Sequence, residues 1–481
     1  MVLRINHNIA AMNGHRALVE NGLNMRRSLE KLSSGMKINR SSDSPAGLII
    51  SEQMRAQIVG LNQAVDNAES ATTMVQTTEA ALTEVTNILT KLRQLAIHAA
   101  NEGANDENML EADQLEMVNA LDSLDRVALN AQFGVKKLLD GSTGANGVGI
   151  GEGIEFIEAS PRTQASPVEG YDVKVWQQGT RAETSGTVAL TEEMIDAGEE
   201  FTIAESGRTV SFTTREGMSV AQTFGLLRNE IEKAGLNIDM IENEDGTLSF
   251  RHKEYGSAAS FAVSSATDGV LSSEGRSMEE ATPGLDIRGS IGGQVTIGEG
   301  RELTGVDGTA IEGLKIRYTG ERLVEEEGEE AVGRLAVYQN SLIFQVGGNV
   351  GQTVSVSLVN ANTRVLGRGV ENESGYDSIR DVDLRTPQGA TDTQKLLDVA
   401  INEVNTSRAR LGAFQKNALE NNLRQLRVNV EELTNAESVI RDADMAKEIA
   451  DYTRNTILMQ SSTAMLAQAN QMPRVVLELL G

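Results

Sequence analysis

The sequence predicts a mainly α protein whose long terminal helices pair with each other and carry an inserted β-rich, α+β outer domain. Three observations predict this. Seven-residue apolar rhythms recur at both ends of the 481-residue chain and lapse between them. Of the 46 glycines, 7 precede residue 141 and 2 follow residue 394, so 37 lie in the middle. Charge divides the same way. Residues 1–140 hold 13 basic and 17 acidic side chains and residues 395–481 hold 10 and 11, so −21 of the net −26 belongs to the middle. One kind of structure is inserted into another.

Residues 5–36 read as a helix, with Leu18, Gly22, Met25, Leu29, Leu32 and Met36 in a heptad stripe. Ser41 to Pro45 are start signals for the next helix. Met54, Ile58, Leu61, Val65, Ala68, Thr72 and Val75 mark its first stripe. After a three-residue phase slip, Thr78, Leu82, Val85, Leu89, Leu92, Ala96 and Ala99 mark its second. A helix from Pro45 to Asn101 would span about 85 Å, so it requires partner helices alongside. The turn at 101–106 leads to a third helix, with Leu110, Leu115, Val118, Leu121 and Leu124 facing inward. At the far end, Leu397, Ile401, Val404 and Leu411 begin a helix that Leu423, Leu426, Val430 and Leu433 continue. The last helix is striped by Met445, Ile449, Tyr452, Thr456, Met459, Thr463 and Leu466. Matching patterns at the two ends imply that they pack on each other.

The middle opens on a glycine-rich run, 141–153. It lacks the Lys-Ser/Thr of a phosphate loop and leads into no helix, so it reads as a linker. Beyond it, hairpins at 201–213 and 238–251 flank a helix over Val220–Ala234, giving a ββαββ module with Phe224, Leu227 and Ile231 on the helix's inner face. Further strands fit 314–318, 341–346 and 353–359. The acidic run Glu325–Glu330 reads as a solvated loop.

Little chemistry is on offer. The absence of cysteine excludes disulfides, zinc thiolates and a cysteine nucleophile. The four histidines, His7, His15, His98 and His252, form no zinc-helix spacing. His98 suits the C-terminal end of a helix dipole, and Asp442 and Asp444 suit capping. Asn39, Asn372 and Asn405 sit in glycosylation-like triplets of the kind that arise by chance. No nucleophile–base pair and no cofactor fingerprint is present, so neither an enzyme nor a cofactor is expected. The acidic middle argues against nucleic acid or an anionic membrane as partner, and no apolar run reaches the 18 residues of a membrane span.

The ends resemble bacterial flagellin. The motifs that carry the resemblance are Leu32-Ser-Ser-Gly-Met-Lys-Ile-Asn-Arg40, Asp43-Ser-Pro-Ala-Gly47, Thr77-Thr-Glu-Ala-Ala-Leu-Thr-Glu84 and the run from Asn130 to Gly141. At the other end they are Arg410 to Glu420, Ala467 to Pro473 and Val476 to Gly481. About 240 residues are covered. The segment 190–275 resembles a module inserted in flagellins and hook-associated proteins. The segment 340–357 resembles the family's core β-hairpin, but here it follows the variable insertion instead of preceding it.

The resemblance implies residues 1–44 and 440–481 as an inner coiled-coil domain, 45–140 and 338–439 as a helical-bundle core with the hairpin, and 141–337 as the acidic outer domain. It implies a homopolymer, the flagellar filament of swimming bacteria, with Leu18, Met25, Leu29, Leu32, Met445, Ile449, Tyr452, Met459 and Leu466 in the terminal coiled coil and between subunits. It further implies flagellar type III export with an uncleaved N-terminus, an extracellular location, and an export chaperone, filament cap and hook-associated proteins as partners. A vertebrate Toll-like receptor contact would fall on Lys91, Leu95 and Glu116, with Arg93 beside them and Lys91 where the family usually has arginine. Three rival readings fit less well. A hook–filament junction protein would usually lack this C-terminal ending and so large an insertion. A signalling coiled coil would show a membrane or sensory segment. An enzyme carried in the insertion would have to work with a single histidine, His252.

Overall fold

A computed structural model describes residues 7–101, 103–243, 245–324 and 330–480, so most of the acidic run 325–330 lies outside the described residues. The helices are α1 (Ile9–Ser34), α2 (Pro45–Ala99), α3 (Glu107–Asn130), α4 (Glu192–Asp196), α5 (Val220–Ala234), α6 (Pro387–Phe414), α7 (Asn421–Arg441) and α8 (Met445–Leu480), with a π-helical segment, Gln415–Glu420, joining α6 to α7. Two compact units are resolved. One comprises residues up to 75, 344–354 and from 412 on; the other comprises 76–343 and 355–411.

In the first unit, α1 starts where the Asn8 side chain accepts the Ala11 N–H and stops at Gly35, whose φ of +71° suits a residue without Cβ. It packs antiparallel along α8. The first part of α2 and the whole of α7 also belong here.

Helix α2 buries Ala64, Ala68, Ala71, Val75, Thr78, Leu82, Val85, Leu89, Leu92, Ala96 and Ala99. From Ala68 onward that is one unbroken 4-3 rhythm, so the phase slip expected near 75–78 is absent. In the first stripe the buried positions include Ala64, Ala68 and Ala71, whereas Val65 and Thr72 are only half-buried. The continuous run from α6 to α7 carries the opposite feature. Its buried Leu397, Val404 and Leu411 recur at heptad spacing, but the next buried position is Leu419, one residue late, and Leu426 then restores the heptad. The π segment that holds Leu419 accommodates this extra residue while keeping the stripe on one side.

Apart from residues 344–354 of the last pair, which belong to the first unit, the strands lie in the second unit and follow in order: β1 (Gln132–Phe133), β2 (Lys136–Lys137), β3 (Ala145–Ile150), β4 (Ile154–Glu158), β5 (Tyr171–Gln177), β6 (Arg181–Ser185), β7 (Glu200–Glu205), β8 (Arg208–Thr213), β9 (Ile238–Glu242), β10 (Leu248–Tyr255), β11 (Ala262–Ser265), β12 (Glu279–Glu280), β13 (Arg288–Ile291), β14 (Gln294–Glu299), β15 (Glu302–Gly305), β16 (Lys315–Tyr318), β17 (Gly333–Gln339), β18 (Leu342–Gln345) and β19 (Thr353–Val356). The last two pair as the hairpin anticipated over 341–359.

The glycine-rich run is not a linker. Its middle, 145–150, is β3, the end strand of an eight-stranded sheet ordered β3-β17-β5-β13-β14-β15-β16-β4, and β3 also lies against β4. A Cβ on Gly147 would fall 2.2 Å from the Phe156 ring, and one on Gly149 would fall 2.1 Å from the Ile154 carbonyl oxygen. The glycines serve close approach, not flexibility. The sheet encloses Val173, Val175, Ile291, Leu303, Ile316, Leu335 and Val337.

The ββαββ module is present and larger than expected. Its helix occupies Val220–Ala234, with Phe224, Leu227 and Ile231 buried. The two hairpins belong to different sheets, β12-β11-β7-β8 and β6-β10-β9, which share one core. Elsewhere in this unit, the loop at 373–374 is tied to α6 by the fully buried Asp392. Its Oδ2 accepts the backbone N–H groups of Glu373 and Ser374 and the Ser374 hydroxyl, while Oδ1 lies 2.8 Å from Lys395 Nζ. Burial alone would raise this carboxyl. Lys395, Ser374 and Gln388 outweigh it and lower it to about 2.

Candidate assembly surface

The terminal helices meet along a seam that mixes apolar and polar layers. Leu18, Met25 and Leu32 of α1 and Tyr452, Met459 and Leu466 of α8 are half-buried. The seam also holds residues that periodicity assigns to the surface. Asn8 Nδ2 donates to the Ala469 carbonyl at 2.8 Å, Asn21 Nδ2 to Ser462 Oγ at 2.8 Å, and Asn455 Nδ2 to Ser28 Oγ at 3.4 Å. Gly14 lies against Leu466. The missed signal was the seven-residue spacing of Asn21 with Ser28 and of Asn455, Ser462 and Ala469. A buried polar pair can fix register at some cost in stability; here three half-buried polar contacts, one of them to a backbone carbonyl, are spaced along the pair.

Three expected seam residues are elsewhere. Leu29 is 52% exposed, and Met445 and Ile449 are also exposed. On α8, Glu448 and Ser462 are half-buried where Ile449 and Thr463 are exposed, while Asn455 and Thr456 are both half-buried. The contact side is set by the polar partners on α1, which apolar spacing cannot report. Exposed beside these residues are Ile9, Met12, Val19 and Leu23 on α1, and Ile457, Met465 and Met472 on α8. The paired helices therefore present apolar rows to solvent.

The two ends are tied where the signature motif lies. Lys37 N–H donates to the Arg441 carbonyl at 2.7 Å, and Ala443 N–H donates to the Gly35 carbonyl at 2.9 Å. Arg441 bonds Glu52 at 2.7 Å and holds that carboxyl below its usual range. Asp43 accepts the N–H groups of Arg40 and Asn39, and the Arg40 bond is the chief reason its carboxyl is also lowered. A Cβ on Gly47 would fall 2.7 Å from Cδ1 of the buried Ile38 and 2.8 Å from Ser44 Oγ, so a larger residue there would force these side chains to shift. The motif from Leu32 to Gly47 is thus a splice between chain ends. Asp444 caps α8 by accepting the N–H groups of Ala446 and Lys447.

A second cluster lies on α2 and α3. Lys91 Nζ is 2.6 Å from Glu116 Oε1, Leu95 is half-buried one turn along, and Arg93 pairs with Asp398. His98 Nδ1 lies 2.6 Å from Asp113 Oδ2. In the module, His252 Nε2 is 3.0 Å from Glu205 Oε1, and its Nδ1 accepts the Glu254 N–H. That neutral tautomer ties β10 to β7, and both of its nitrogens are engaged. Asn372 is consumed by Val370 and Tyr376. Among the described residues no group of three or more His, Asp or Glu is placed to hold a metal ion.

Paired terminal helices with a spliced junction and exposed apolar rows mark the chain as a structural protein, with no site for chemistry among the described residues. Comparison with known proteins makes the class specific. Residues 5–143 match the bacterial flagellin N-terminal helical region and residues 394–480 match the bacterial flagellin C-terminal helical region. A flagellin of Clostridium tyrobutyricum is 31% identical over 471 residues, covering 97% of this chain and 99% of that protein. Flagellin B of Vibrio cholerae is 30% identical over 492 residues, covering the whole of both. The flagellin of Bacillus subtilis is 27% identical over 492 residues. The chain belongs to the bacterial flagellin family and is a structural subunit of the flagellar filament.

Proposed function

We propose that subunits join through the outward rows of the paired terminal helices, while the polar seam holds α1 and α8 in register so that both rows face neighbouring subunits. The observation that carries this reading is the exposure of large apolar side chains on both helices, among them Met12 at 68% and Met465 at 67%, although the two helices already cover each other. Apolar area removed from water is worth about 25 cal/mol per Å², so a polymer gains what the monomer leaves exposed. Residues 1–44 with 440–481 act as the inner assembly domain, 45–140 with 338–439 as the core, and 141–337 as an acidic surface domain. The subunit is exported through the flagellar type III route to an extracellular filament, and meets an export chaperone, the filament cap and hook-associated proteins on the way. No catalytic step and no cofactor is proposed. The test is deletion of 445–481, which should abolish seeded polymerisation while the outer domain keeps its β-sheet signal. Filaments of normal length from that truncation would overturn the reading.

A second reading rests on Lys91, Leu95 and Glu116. The ion pair between Lys91 and Glu116, with Leu95 one turn along the same helix, favours a compact receptor-binding patch for the vertebrate Toll-like receptor on the free subunit.

A further inference from the structure

We propose that the outer face of the eight-stranded sheet at β5, β13 and β14 binds an acidic saccharide of the uronate class. Side chains alternate across a sheet. Val173, Val175 and Ile291 point into the core, so Lys174, Trp176, Arg288 and Ser290 point out. Lys174 pairs with Ser290, and Ser290 with Val295, which makes one row across three strands. Next to that row the register shifts: Arg288 stands opposite Gln177, and Trp176 bulges between Gln177 and Val175. Trp176, Val295 and Ile297 are 49%, 71% and 62% exposed, and Trp176 is the sole tryptophan of the chain.

The β13–β14 ladder consists of Ser290–Val295 and Ile291–Gln294, and beyond it Thr296 Oγ1 bonds the Gly289 carbonyl at 2.8 Å. The strands part there over a cleft of about 470 Å³ that Trp176, Arg288 and Val295 line. Asp286 also lines the cleft; Ser257 and Gly300 bond its carboxylate, and the nearby Arg288 charge further favours its ionised form. Among the described residues neither Lys174 nor Arg288 forms an ion pair.

Lys174 and Arg288, neither in a salt bridge although Arg288 lies near Asp286, flank an indole on a segment of net −21 and select an anion that also has an apolar face. An added peptide strand is disfavoured, because β5, β13 and β14 are interior to the sheet and offer no free edge. A pyranose ring can lay its C–H face on Trp176 while its carboxylate meets the planar fork of Arg288, and the next uronate reaches Lys174.

The experiment follows Trp176 fluorescence of the intact monomeric chain during titration with a hyaluronan hexasaccharide, with chitohexaose and polyglutamate of similar length as comparisons. A saturable change is expected with hyaluronan, weaker by about tenfold or more in Arg288→Glu and in Lys174→Glu, which retain the tryptophan and change only the charge on the outer face. Circular dichroism of both variants verifies that the sheet is intact. An equal response to chitohexaose or to polyglutamate, a response unchanged in Arg288→Glu, or no response to hyaluronan overturns the proposal. So does a fluorescence change that tracks protein concentration alone, which would assign the face to a second copy of the chain.

Discussion

Met459→Asp places a carboxylate in the seam between α1 and α8. Met459 is half-buried and lies between the Asn455–Ser28 and Ser462–Asn21 layers. Losing the buried part of its thioether side chain costs about 1 kcal/mol. Partly desolvating an unpaired carboxylate adds about 2 kcal/mol, since the layers on either side of it are neutral. About 3 kcal/mol corresponds to a loss of about a hundredfold in the population of correctly paired ends. Two assays separate pairing from assembly. Hydrogen exchange of the monomer should show lost protection in both α1 and α8, and seeded polymerisation followed by light scattering should fail. Ile457→Asp, on the exposed face at 57%, should leave the monomer's exchange unchanged yet still block polymerisation. Glu330→Lys, in the acidic run, should polymerise normally. Wild-type polymerisation by Met459→Asp would refute the seam's role, and wild-type polymerisation by Ile457→Asp would refute the role of the outward row.

Three further outcomes are expected. Because the Asp392 carboxyl is lowered from 3.8 to about 2, it contributes stability that is complete above about pH 4 and is lost as pH falls toward 2; Asp392→Asn should remove about 2 kcal/mol of that pH dependence in urea melts, and identical slopes for both proteins would count against the ion pair. Ala145 and Gln339 are a registered pair on β3 and β17, so replacing 146–338 by a short linker should still yield filaments by electron microscopy; a secreted but unassembled product would assign the outer domain a structural duty. Lys91→Arg should raise receptor activation by the monomer in a reporter-cell assay, because a planar fork replaces a point charge, and Leu95→Ala should abolish it; equal activity from sealed filaments would show that the patch stays accessible after assembly.

Residue spacing alone determined the long helices, the α5 segment at 220–234 and the division between aliphatic ends and acidic middle. Each of these is a local matter, since a helix face or a turn is written within a dozen residues. The splice motif was legible as a pattern, but its purpose was not, because Lys37 meets Arg441 and Gly35 meets Ala443 only after both ends have folded together. Tertiary structure alone decided which side of α8 faces α1. Ser28 and Asn455 look like surface residues until each supplies the other's hydrogen-bond partner, whereas Leu29 looks like core and lies in solvent. Tertiary structure likewise turned the glycines at 147 and 149 into strand residues, since their need is set by Phe156 and Ile154 pressing against them. A periodic pattern says that a face is apolar. What covers that face depends on which distant segment is in register with it, and register is fixed by pairwise contacts that neither segment specifies by itself.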